Sequence, residues 1–286
     1  MRYDDFFEPC ESGADVNTKA YDGGAEAVSA ASQNWHSPII NVIVNIGTDV
    51  NSKDYNGGKA VMSCPEQNVN SAAVNVVVNV GANVSAERNN GITELMYAAM
   101  NDENPEAITE LINAGADVNE RDIGGKTALM LAAQYNENPE VITTLIKAGA
   151  DVDAKNKAAS TALMYATKFN KNPDVAATLI EAGSDINATN NRGRTALMYA
   201  AHDNENVELI NALIKAGGDV NAKDIYGATA LMAAADHNEN PEVITTLINA
   251  GADVNAKDNE GYTALDVANE KLKGTDALKL LMEKTN

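Results

Sequence analysis

Side chains able to do chemistry gather at one place in this 286-residue sequence. His202-Asp203 is followed, at a spacing of 34 residues, by Asp236-His237. Imidazoles and carboxylates both ligate transition metals, so these four groups brought together could hold an ion. The plainer alternative is two exposed pairs, His202 with Asp236 and Asp203 with His237, each contributing little in water. The remaining histidine, His36, stands apart, and no Ser/His/Asp or Cys/His order assembles a nucleophile. Cys10 and Cys64 form no CxxC and have no zinc-ligand spacing, which reads as a chain kept in a reducing compartment. Asp253-Val254-Asn255 opens like a calcium loop, but Lys257 stands at a ligand position and no glycine follows it at position six. No glycine-rich loop follows a strand, so no phosphate cradle is expected. The expectation is therefore no catalytic residues, no cofactor and no resident metal. The His202/Asp203/Asp236/His237 cluster remains the one enzymatic or metal-binding alternative.

Composition narrows the partners. The formal charge is −20, which repels phosphate backbones and anionic lipid surfaces, so nucleic acid and membrane are not expected. No apolar run is long enough to span a bilayer, and Met1 to Glu11 lacks the apolar core of a secretory leader. These features predict a cytoplasmic monomer. Hydrophobic residues make up 44% of the chain but aromatics only 5%, which suits thin layers packed through Ala, Leu, Ile, Val and Met.

The elements that must position any site follow one period. Thr93, Thr127, Thr161, Thr195, Thr229 and Thr263 recur every 34 residues, and glycines from Gly13 to Gly251 keep the same step. Within residues 122–155, Asp122 to Lys126 is turn material. Thr127 is an N-cap candidate for a short helix from Ala128 to Ala133, which Asn136-Glu137-Asn138 breaks. Asn138 then caps a second helix, with Pro139 in its first position and Glu140 near the positive dipole end. Val141, Ile142, Leu145 and Ile146 form one apolar stripe, and Gly149 stops the helix in the left-handed region. Asp151 to Lys155 leads extended into the next turn. Neither helix can bury its stripe alone, so identical units must stack.

TALMLAA followed by VITTLIKAGADVDAKN resembles the ankyrin repeat, with its T-P-L-H-x-A-A and later G-A-D-V-N. Tetratricopeptide repeats share the period but lack this return, and their Trp signature does not recur. The resemblance implies an all-α solenoid of helix-turn-helix units joined by β-hairpin-like turns. Turn boundaries divide the chain into a half repeat at 1–19, seven repeats at 20–257 and a polar capping repeat at 258–286. The stretch 20–87 is degenerate: Val-rich segments replace helix formers, and Pro65 falls inside an expected first helix. It reads as divergence, local distortion or an incorrect stretch of sequence. Elsewhere the family proline is Ala128 and its equivalents. The family histidine is Met130 and its equivalents, which fill space but cannot replace its hydrogen bond. The recurring Asn119, Asn187, Asn221 and Asn255 are expected to bond turn backbone.

The resemblance also implies protein binding, by turn tips and first-helix ends on the concave side. At those positions stand the cations Lys126, Lys157, Lys168, Arg192 and Arg194. Beside them are the apolar groups Ile123, Tyr135, Phe169, Ile225, Tyr226 and Tyr262, together with His202 and His237. Aromatics and arginine are common interface anchors. The expected partner is another protein with an acidic segment and apolar anchors, bound by a scaffold, adaptor or inhibitor. Similarity to ankyrin-like proteins of host-associated microbes implies an alternative, a secreted host-directed effector using the same surface.

Overall fold

A computed structural model describes residues 90–101, 104–268 and 272–285. The half repeat at 1–19, the degenerate stretch 20–87, His36, Cys10 and Cys64 lie outside the described residues. Five helix pairs follow one another: α1 (Glu94–Asn101) and α2 (Pro105–Asn113), α3 (Ala128–Tyr135) and α4 (Pro139–Lys147), α5 (Ala162–Phe169) and α6 (Pro173–Glu181), α7 (Ala196–Asp203) and α8 (Val207–Lys215), α9 (Ala230–His237) and α10 (Pro241–Asn249). A last helix, α11 (Asp276–Lys284), closes the described chain.

Local sequence sets each boundary. Thr127 Oγ1 accepts from the Met130 N–H at 3.4 Å, and Thr161, Thr195 and Thr229 cap α5, α7 and α9 in the same way. Asn138 Oδ1 accepts from Glu140 N at 2.9 Å, ahead of Pro139. The C-terminal stop needs a positive φ, and Gly149 supplies it at +95°.

First helices pack on first helices, and second helices on second helices, through the length of the stack. Val141, Ile142 and Leu145 are fully buried, as are Met130 and its neighbour Leu129. The methionine ladder is therefore core. Truncating one of these leucines costs about 2–5 kcal/mol by lost transfer energy and cavity formation.

Hydrogen bonds stitch the layers on both sides. On the return side, Asn119 Nδ2 donates to Gly149 O at 2.9 Å while its Oδ1 accepts from Asp151 N at 2.8 Å. Asn187 and Asn221 repeat this clasp two and three units on, and Asp153, one unit on, keeps its accepting half, from Asp185 N at 2.8 Å. Asn119, Asn187 and Asn221 thus bond turn backbone as expected, and the turn is that of the following unit, just past its second helix. An amide holds both a donor and an acceptor, so it can span two backbone groups.

On the loop side, Asn170 is buried. It donates Nδ2 to Ala133 O at 3.0 Å and Asn136 O at 2.8 Å, and accepts from Asn172 N at 2.9 Å. Asn238 does the same with Ala201 O, Asn204 O and Asn240 N. The loop that sequence marks only as a helix breaker is thus a second seam of buried amides.

The last unit departs from the others. Residues 264–267 form turns where the other units have a first helix. Asp266 Oδ2 accepts from both Thr263 N and Thr263 Oγ1, at 2.8 and 2.7 Å. Those bonds hold the Asp266 carboxyl below the ordinary carboxylate range.

Candidate interaction surface

One side of the stack is built from the turn tips and the C-terminal ends of the first helices. Each turn is organised by its first residue. Asp122 Oδ1 accepts from Gly124 N and Lys126 N at 2.8 and 2.7 Å. Asn156, Asn190, Asp224 and Asp258 repeat the arrangement. The carboxylate or amide of this residue therefore holds the turn, a role that methionine could not take from the family histidine. Neighbouring tips bond to one another: Lys157 N donates to Gly124 O, Asn191 N to Ala158 O and Ile225 N to Arg192 O, at 2.9 to 3.0 Å. The tips thus form a continuous backbone ladder that holds the side chains between them at fixed spacing.

The expected apolar groups stand out from this frame. Ile123, Tyr135, Phe169, Ile225, Tyr226 and Tyr262 are each about half exposed or more. With Met282, on α11, they complete the exposed large hydrophobic residues among the described ones. Of the expected cations, Lys157 and Arg192 project into solvent. Lys126, Lys168 and Arg194 are partly buried and already engaged. Lys126 Nζ donates to Gln134 Oε1 at 2.8 Å and lies 4.6 Å from the Tyr165 ring centre. Burial lowers its pKa, opposed by the charge of Asp122. Lys168 lies 4.9 Å from the Phe169 ring and 5.1 Å from the Tyr199 ring. The Arg194 Nε pairs with buried Asp224 at 3.4 Å, and its guanidinium lies 6.0 Å from Tyr199.

Tyr165 and Tyr199 are site residues that the sequence reading missed. Tyr165 hydroxyl accepts from Asn156 Nδ2 at 2.8 Å, and Tyr199 hydroxyl from Asn190 Nδ2 at 2.7 Å. Burial, then the charge of Asp122, raises the Tyr165 pKa, while the bond from Asn156 opposes them. A signal was present in the sequence. Units opening on Asn156 and Asn190 carry tyrosine nine residues on. Those opening on Asp122, Asp224 and Asp258 carry Leu131, Ala233 and Val267 there.

The four groups of the histidine cluster do come together. The geometry adds pairings within each unit that the spacing did not indicate. Each Nδ1 meets its own neighbour: His202 meets Asp203 at 2.8 Å, and His237 meets Asp236 at 2.9 Å. The two rings stack at 4.0 Å between centres and 24° between planes. Lone pairs lie in the ring plane, so near-parallel stacked rings do not aim them at one ion. Among the described residues no group of three or more His, Cys, Asp or Glu is placed to hold a metal.

A model of the ankyrin repeat family, built as three consecutive copies, matches residues 10–122, 61–156, 95–190, 129–224, 163–258 and 197–286. The chain belongs to the ankyrin repeat family. Its repeats place it among proteins whose general work is protein–protein interaction, and which are typically not enzymes. Comparison with curated protein sequences gave no match. Among the described residues of this ankyrin repeat chain, no helix is long and apolar enough to cross a membrane.

Proposed function

We propose that this ankyrin repeat chain is a binding module, a scaffold, adaptor or inhibitor acting as a monomer in the cytoplasm. The surface of turn tips and first-helix ends in its middle units grips an acidic segment of a partner protein. One observation carries the reading. Ile123, Tyr135, Phe169, Ile225, Tyr226 and Tyr262 are held out at about half exposure or more, where polar residues would cost less. Burying such groups against a partner contributes about 25 cal/mol for each Å² removed from water.

The cations give the partner's sign. Lys157 and Arg192 present positive charge within a chain of net charge −20. Lys126, Lys168 and Arg194 are held rigidly against Tyr165, Phe169 and Tyr199, so a partner carboxylate meets them without much further ordering of side chains.

The test uses acidic peptides with apolar anchors. Phe169→Ala and Arg192→Glu should each weaken binding about tenfold, a change of about 1.4 kcal/mol, while the unfolding midpoint stays unchanged. Unaltered affinity in both variants overturns the proposal.

A further inference from the structure

Among the described first helices, α9 leaves a gap. Tyrosine fills the first-helix position at Tyr165 and Tyr199, but the next unit carries Ala233. A groove of about 190 Å³ opens there. Its floor includes Met198, Met232, Ala233 and Val267, and its rim includes His202, His237, Asp224, Asp236, Asp258 and Arg194. Asp224, with only 3% of its side chain exposed, is matched by Arg194. Asp236 and Asp258 then leave the rim with two carboxylates that no guanidinium matches (three carboxylates against one guanidinium).

The face thus changes sign along the stack. From Asp122 to Asp203 its five cations, Lys126 to Arg194, outnumber those two carboxylates, and from Asp224 to Glu260 the carboxylates Asp224, Asp236, Asp258 and Glu260 follow. A uniformly acidic segment that suits the first part is repelled by the second.

We propose that this groove receives an arginine side chain of the same partner segment, whose charge changes from acidic to basic along its length. The inference rests on the binding reading above and adds its second determinant. An arginine stem is apolar and suits the Met198, Met232 and Val267 floor, while its head remains polar. The planar guanidinium can continue the stack on the outer face of one imidazole and donate to Asp236 and Asp258. From α5, which carries Lys168 and Phe169, to α9 is two helix layers of about 10 Å each. An extended chain at about 3.3 Å per residue covers that distance in about six residues. The acidic and basic determinants therefore stand about six residues apart.

The experiment is a cycle with the full chain and synthetic peptides. Each peptide carries an acidic pair, a six-residue spacer with leucine and phenylalanine, and either arginine or its neutral isostere citrulline. Both chain directions are made. The arginine peptide should bind about tenfold more tightly than the citrulline peptide. Ala233→Tyr, which fills the groove with the residue already accepted at Tyr165 and Tyr199, should remove that preference. Asp236→Asn, at an exposed position, should reduce it with no repacking. Arg192→Glu should weaken both peptides alike and leave the preference intact. Equal binding of the two peptides, no binding of either, or a preference that survives both Ala233→Tyr and Asp236→Asn overturns the inference. A preserved arginine preference with no effect of Arg192→Glu or Phe169→Ala removes the acidic-segment reading and leaves the groove standing.

Discussion

At residue scale, the same period places side chains whose surroundings differ, and energies differ with them. Asn170 satisfies three backbone groups while buried, whereas Asn204 reaches Thr167 O only at 3.5 Å from a partly buried site. Orphaning buried partners costs about 1–3 kcal/mol per group, so Asn170→Ala should cost about 3 kcal/mol and Asn204→Ala clearly less. Urea unfolding of the two variants measures the contrast, and equal losses would contradict the seam. Ala159 shows the reverse case. It adopts φ of +57° where Gly125, Gly193 and Gly227 hold the equivalent turn position. The left-handed region costs an L-residue about 1–2 kcal/mol, partly offset by the greater freedom glycine loses on folding. Ala159→Gly should therefore stabilise the chain by about 1 kcal/mol, read as a higher denaturation midpoint.

At element scale, helix boundaries were legible because caps are local. Thr127, Asn138, Pro139 and Gly149 act within a few residues of where they stand, and each does what its type and position indicated. The last unit shows how the pattern loses a helix. Asp266 stands where other units have methionine and turns back to Thr263, and residues 264–267 form turns instead. Its pKa lies below the ordinary 3.8, so the charged form is favoured by folding. That contribution is fully present above about pH 4 and is lost as pH falls through the folded value. Asp266→Asn should accordingly be less stable than the parent at neutral pH, with the gap closing below pH 4 in an acid titration followed by circular dichroism. A gap independent of pH would show that the charge plays no part.

At the scale of the whole molecule, the stack acts as a ruler that displays side chains at fixed intervals. Contacts between exposed charges are screened by salt, so affinity for an acidic peptide should fall as ionic strength rises from about 0.05 to 0.5 M. Arg192→Glu should flatten that dependence, whereas Phe169→Ala should lower affinity with the salt dependence intact. Calorimetry across a salt series separates the two. The sequence by itself determined the period, the family, the caps, the buried ladders and the exposed apolar groups at turn tips and helix ends. Those follow from spacing and residue type, which a single unit already contains. Only the tertiary structure decided how neighbouring units meet. It stacked His202 on His237, paired each with the carboxylate beside it, and laid Lys126 and Lys168 over Tyr165 and Tyr199. It turned Asn119 and Asn170 into links between layers and opened a groove beside Ala233. The reason is physical: register says which residues are equivalent, but side-chain reach and direction decide which ones touch across a layer.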